Sequence, residues 1–107
     1  MDAGYRTNEK RNVVWAGSTN SNTVELRPGA TYSIDLPSTF AGTTLTIEEV
    51  STGTARAVND PESQLPVTVV ANKVNILPAA IYASGLSKVQ FVSDQSETCE
   101  ATLHMSR

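Results

Sequence analysis

An all-β fold, an antiparallel β-sandwich with jelly-roll or other Greek-key-like connections, is what this sequence predicts, and three observations predict it. β-branched residues dominate its composition: Thr occurs 13 times and Val 11 times, against three Phe plus Trp, and branching at Cβ suits a pleated surface better than a helix. Several segments alternate apolar and polar residues with the period of a strand. Five prolines and six glycines are spread along the chain, placing turn signals roughly every 8 to 12 residues, as in sandwiches.

Residues 1–12 are polar, carry mixed charge and show neither period, so they read as an N-terminal arm preceding one β domain over 13–107. Val13-Val14-Trp15 is a short apolar segment ended by AGSTNSNT, a loop of small polar residues. Thr23 to Arg27 alternates, as does Thr31 to Leu36, where Tyr32, Ile34 and Leu36 share one face. The intervening Arg-Pro-Gly-Ala makes these two a predicted hairpin.

After Pro37 comes a strand with Leu45 and Ile47 inward. Strict alternation would then bury Glu49 and expose Val50. A β-bulge at Glu48-Glu49 is the expected remedy, because burying an unpaired carboxylate costs several kcal/mol. Ala55 to Val58 is expected to pair back across the turn at 51–54. Val67 to Ala71 reads as an apolar strand, Asn72-Lys73 as a tight connection, and Val74 to Leu77 as a strand with Val74 and Ile76 on one face. Pro78 to Gly85 is the one helical piece, a short connector with Pro at its start and Gly as its cap. Lys88 to Ser93 puts Val89 and Phe91 inward. Thr98 to Ser106 puts Cys99, Ala101, Leu103 and Met105 opposite Thr98, Glu100, Thr102 and His104.

The residues point away from several function classes. A net charge of −3 with scattered Lys and Arg lacks the basic face that phosphate neutralisation needs, so no nucleic acid is expected. No apolar stretch reaches bilayer length, so no membrane is expected either. The polar start carries no apolar core of a secretory signal. A single cysteine forms no intrachain disulfide, as suits assembly in a reducing cytoplasm.

Cys99 and His104 lie five apart on one predicted strand, hence on opposite faces, which rules out a thiol–imidazole pair there. One His and one Cys do not make a zinc site, and neither a nucleophile elbow nor a glycine-rich phosphate loop occurs. The carboxylates Asp35, Glu48, Glu49, Asp60 and Glu62 read as solvated surface, and the aromatics Trp15, Tyr32, Tyr82, Tyr5, Phe40 and Phe91 as core residues more readily than as a sugar platform. No enzyme, cofactor or metal is expected.

One stretch carries more than local structure. Leu36, Pro37, Ser38, Phe40, Gly42, Thr43, Thr44, Leu45 and Thr46, then Leu77, Pro78, Ala79, Tyr82 and Ala83, then Val89, Phe91 and Ser93 follow a pattern that resembles a group of small tailed-bacteriophage virion structural proteins. The resemblance spans roughly residues 31–107 and departs from the pattern at Glu49, Thr52 and Ser84. It implies a non-enzymatic virion component, a capsid decoration (cement) or head-tail accessory protein made in the host cytoplasm. Its implied partners are the major capsid or other virion proteins, and it implies a homo-oligomer. The contact residues expected for that role are Tyr5, Arg6, Lys10 and Arg11 in the arm and Ser18, Asn20 and Asn22 in the loop. The alternative is a carbohydrate-binding adhesion module of a phage fibre.

Overall fold

A computed structural model describes residues 8–27, 30–59, 66–78 and 86–106. It contains β1 (Asn8–Asn20), β2 (Val24–Glu25), β3 (Thr31–Asp35), β4 (Thr44–Glu49), β5 (Arg56–Ala57), β6 (Val67–Thr68), β7 (Val74–Ile76) and β8 (Lys88–Ser106). Every pairing between them is antiparallel. Among the described residues there is no helix. The helical piece expected from Pro78 to Gly85 lies, after Pro78, outside them.

β8 organises the rest. The two strands expected at 88–93 and 98–106 are one strand of 19 residues, and its inward positions stay in phase throughout. Val89, Phe91, Ser93, Glu97, Ala101, Leu103 and Met105 are buried, all at odd numbers. Residues 102–106 pair with both β1 and β3, which must therefore flank β8 on opposite sides. Val92 likewise pairs with Asn20 of β1 and Thr46 of β4. One flank thus carries β1 followed by β2; the other carries β3 at the C-terminal half and β4 at the N-terminal half.

Two sheets stacked face to face were the expectation, whereas hydrogen bonding joins all eight strands in one sheet curled into a half-barrel. The curl has a local origin. Between Ala16 and Ser18 the register gains one residue on β1, at Gly17 with φ 74°, and between Ser18 and Asn20 it gains residues on β8. A bulge with glycine in the left-handed region bends and twists a strand pair. β1 consequently runs through the segment read as a loop, and residues 8–12, read as arm, are ladder residues. The bend lets one sheet bury its own concave face. Trp15 lies opposite Cys99 on the C-terminal half, yet its indole N–H donates to the carbonyl of Phe91 on the N-terminal half at 3.1 Å, and to that of Thr19 at 3.2 Å. Phe40 meets the same indole edge-on, with ring centroids 5.3 Å apart.

Two further expectations change. β2 and β3 do not form a hairpin: β2 pairs with β8, and β3 with β8 and β7. The sequence pattern could show two adjacent strands but not that β8 outcompetes each for the other. The bulge expected at Glu48-Glu49 is absent, because β4 pairs with β8 in unbroken register from Leu45 to Glu49. Glu49 is the last strand residue, so its carboxylate emerges at the sheet end and accepts from the Ser51 amide (3.1 Å) and hydroxyl. Val50 is half-buried outside the main core. The pairing of 55–58 across the turn does occur, as β5 against Glu48 and Glu49.

Candidate interaction surface

The expected contact residues that lie among the described residues do not converge. Tyr5 and Arg6 lie outside the described residues. Lys10 is exposed on the convex face, directly opposite His104. Arg11 turns to the other face and bonds Glu9 at 2.9 Å, while Arg27 bonds the second oxygen of the same carboxylate at 2.7 Å. Ser18 and Asn20 sit at the bend, where the Ser18 hydroxyl accepts from the Asn20 amide at 3.1 Å. Asn22 acts inside the fold: its side-chain oxygen accepts from the Val14 amide (2.8 Å), its amide group donates to the Asn12 carbonyl (3.2 Å), and its backbone N–H donates to the Val14 carbonyl (3.0 Å). These bonds clasp the free edge of β1. Lys10 and Asn20 are ten strand positions apart, about 33 Å of extended chain, so the two groups are separate surfaces.

The motif stretch has a structural task that its sequence did not reveal. β3 and β4 share a flank of β8 but leave residues 94–101 between them without a partner strand on that side. Residues 36–43 cross this gap, where the amides of Ala41, Gly42 and Thr43 meet no ladder. Two carboxylates substitute for one. Glu97, 2% exposed, accepts from the Ala41 amide through Oε1 and from the Gly42 amide and Ser93 hydroxyl through Oε2, each at 2.8 Å. Asp94 accepts from the Thr43 amide (2.8 Å), the Thr44 amide (3.2 Å) and the Thr43 hydroxyl (3.0 Å). Charge-assisted bonds of this kind are stronger than neutral ones. Neither Asp94 nor Glu97 stood out in the sequence; the signal that could have found them is an Asp-x-x-Glu placed just after a buried strand.

The amide of Thr43, then that of Thr44, holds the Asp94 carboxyl below its ordinary value of 3.8, outweighing the opposing effect of burial. A depressed folded value means this carboxylate adds stability above the unfolded value and loses it as pH falls through the folded one. The stability gap between the wild type and Asp94→Asn is therefore expected at neutral pH and should close as pH falls below the ordinary value of 3.8 and through the lowered folded one. Urea midpoints across the acid range measure it; a gap that persists in acid would refute this role for the charge.

The remaining chemistry-bearing residues stay apart. Cys99 and His104 face opposite sides, as the alternation required, and burial followed by the nearby Glu97 pushes the Cys99 thiol up. Trp15, Tyr32, Phe40 and Phe91, the aromatic residues described, are all buried. Among the described residues no three His, Cys, Asp or Glu are grouped to hold a metal, and no helix is long and apolar enough to cross a membrane. Asp60 and Glu62 lie outside them.

What the sheet does expose is apolar. Val74 and Ile76 share a face, as expected, but it is the convex one: they are 56% and 79% exposed, with Val70 nearby in sequence also exposed. The inward position between them goes to Asn75, opposite buried Ile34. Its side chain is fully engaged, accepting from the Val70 amide and donating to the carbonyls of Val70 and Lys73. Asn72, with φ 61°, makes the tight connection that the sequence placed there. An open depression of about 360 Å³ adjoins Ile76, lined also by Lys10, Ser33 and His104. Compared with protein-family models, curated proteins and solved structures, the chain matches none.

Proposed function

We propose that this chain is a non-enzymatic structural protein of a tailed-bacteriophage virion, a capsid decoration or head-tail accessory protein seated on a multimeric particle surface. The observation that carries the reading is the motif itself. Phe40, Gly42, Thr43 and Thr44, residues on which the resemblance rests, are those the fold buries or clamps through Asp94 and Glu97. A shared pattern spent on fixing a backbone link is what a family of scaffolds would have in common, whereas a family of enzymes would share reactive side chains. A sandwich-like body belongs to the same proposal, the two halves of the bent sheet serving as its layers around Trp15. Retention on the particle follows from many modest contacts made at once. The exposed Val70, Val74 and Ile76 are of the kind used for protein contact. The carbohydrate-binding alternative draws no support from the described aromatics, which are all internal. Mass spectrometry of purified virions is expected to detect the polypeptide in many copies per particle, and its absence from intact particles would overturn the proposal.

A further inference from the structure

The outer edge of β7 is complementary to itself. Among the described residues β7 pairs only with β3. The Leu36 amide donates to the Lys73 carbonyl at 3.1 Å and the Leu77 amide to the Tyr32 carbonyl at 3.0 Å, so positions 73, 75 and 77 direct their backbone groups toward β3. By alternation, Val74 and Ile76 direct N–H and C=O away from the sheet. The same two residues carry the exposed apolar side chains. Hydrogen-bonding capacity and apolar surface thus coincide on one edge.

Sheet edges are ordinarily blunted by charge or cover. The edge of β1 is clasped by Asn22 and continued by Lys10, β2 carries Glu25, and β5 carries Arg56. Of the described edges three residues or longer, β7 alone has neither. We propose that β7 pairs antiparallel with β7 of a second copy of this chain, about a two-fold axis passing through Asn75. In that register Val74 faces Ile76 of the other copy and Ile76 faces its Val74. All four outward residues exchange N–H···O bonds, and the four side chains meet on one face. The residue on the axis meets itself, and it is an uncharged Asn; Lys73 meets the other copy's Leu77. An isologous contact of this kind makes a closed dimer. It is short, below the area of a stable standalone interface, and so belongs to the weak class that a particle lattice reinforces. The inference deepens the multimeric part of the function proposed above, and rests on it only for the place where the dimer acts.

The register makes the test specific. Opposed residues of a hydrogen-bonded pair lie about 5.5 Å apart at Cα, within disulfide range, while like residues lie on the diagonal at about 7 Å or more. Oxidising a mixture of Val74→Cys and Ile76→Cys chains should give a covalent dimer well in excess of either variant alone, with none from the wild type, whose thiol is Cys99. Sedimentation of the wild-type chain at millimolar concentration should show a monomer–dimer equilibrium that Ile76→Lys shifts to monomer; at 79% exposure the substitution leaves the fold intact, which circular dichroism verifies. A wild type that stays monomeric, a dimer indifferent to Ile76→Lys, or equal cross-linking by each cysteine variant alone overturns the pairing. Detection in virions of a chain that is monomeric in solution would overturn this inference and leave the proposed function standing.

Discussion

Replacing Glu97 with alanine is expected to destabilise the protein by about 3 kcal/mol, the penalty for stranding two buried hydrogen-bond donors. The donors are the Gly42 amide and the Ser93 hydroxyl, which both meet Oε2 at 2.8 Å. The Ala41 amide, bound to Oε1, lies at an exposed residue where water can replace the lost acceptor. No backbone carbonyl can take over, because the flank of β8 facing residues 36–43 has no strand. Glu97→Gln should recover part of the loss, since its carbonyl oxygen still accepts while its amide group confronts a donor. Urea denaturation reads both variants as shifts in midpoint at constant slope. A loss under about 1 kcal/mol for Glu97→Ala would mean that the link is held by packing and not by the clamp.

Gly42→Ala is expected to cost about as much, near 3 kcal/mol, at the upper end of overpacking penalties. A Cβ there would stand 2.3 Å from Ser93 Oγ, 2.5 Å from Asp94 Oδ1 and 3.2 Å from Glu97 Oε2. These atoms cannot retreat cheaply. Ser93 Oγ accepts from the Gln95 amide while donating to Glu97, and Asp94 is bound to Thr43 and Thr44. Glycine is needed here for close approach, not for an unusual backbone angle. Gly53 supplies the contrast, with φ 87° and open space around its Cβ position, so Gly53→Ala should cost only the smaller strain of a left-handed residue. Because Gly42 and Glu97 act in one cluster, the Gly42→Ala cost should shrink in a Glu97→Ala background. Additive costs in that double-mutant cycle would show the two to be independent.

Both predictions concern residues whose importance was only half visible in the sequence. Gly42 belongs to the motif, but why a glycine must stand there depends on Asp94 and Glu97, more than fifty positions away. The adjacent pair Glu48-Glu49 is the more conspicuous in the sequence, yet those two are strand residues, one bonded by Ser51 and one by the Gln90 amide, while the clamp is made by Asp94 and Glu97. The candidate contact residues fared similarly. Asn22 is polar and sits among small residues, as a surface loop residue would, yet it is occupied in clasping β1. Ile76 has the pattern of a core residue and is the most exposed large hydrophobic described. Nothing in a short alternating run says which of its two faces the rest of the chain will cover.

By itself the sequence determined the all-β class, the inward set Tyr32, Ile34, Leu45, Ile47, Val89, Phe91, Ala101, Leu103 and Met105, and the separation of Cys99 from His104. Each of these follows from a period of two, which is written between neighbouring residues. Tertiary structure alone decided that two apparent strands are one, that the bulge falls at Gly17, that residues 36–43 need acceptors from Asp94 and Glu97, and that β7 is an edge. The reason is that backbone hydrogen-bonding capacity is the same at every non-proline position. Which strand satisfies which is settled only when distant segments compete for the flanks of β8.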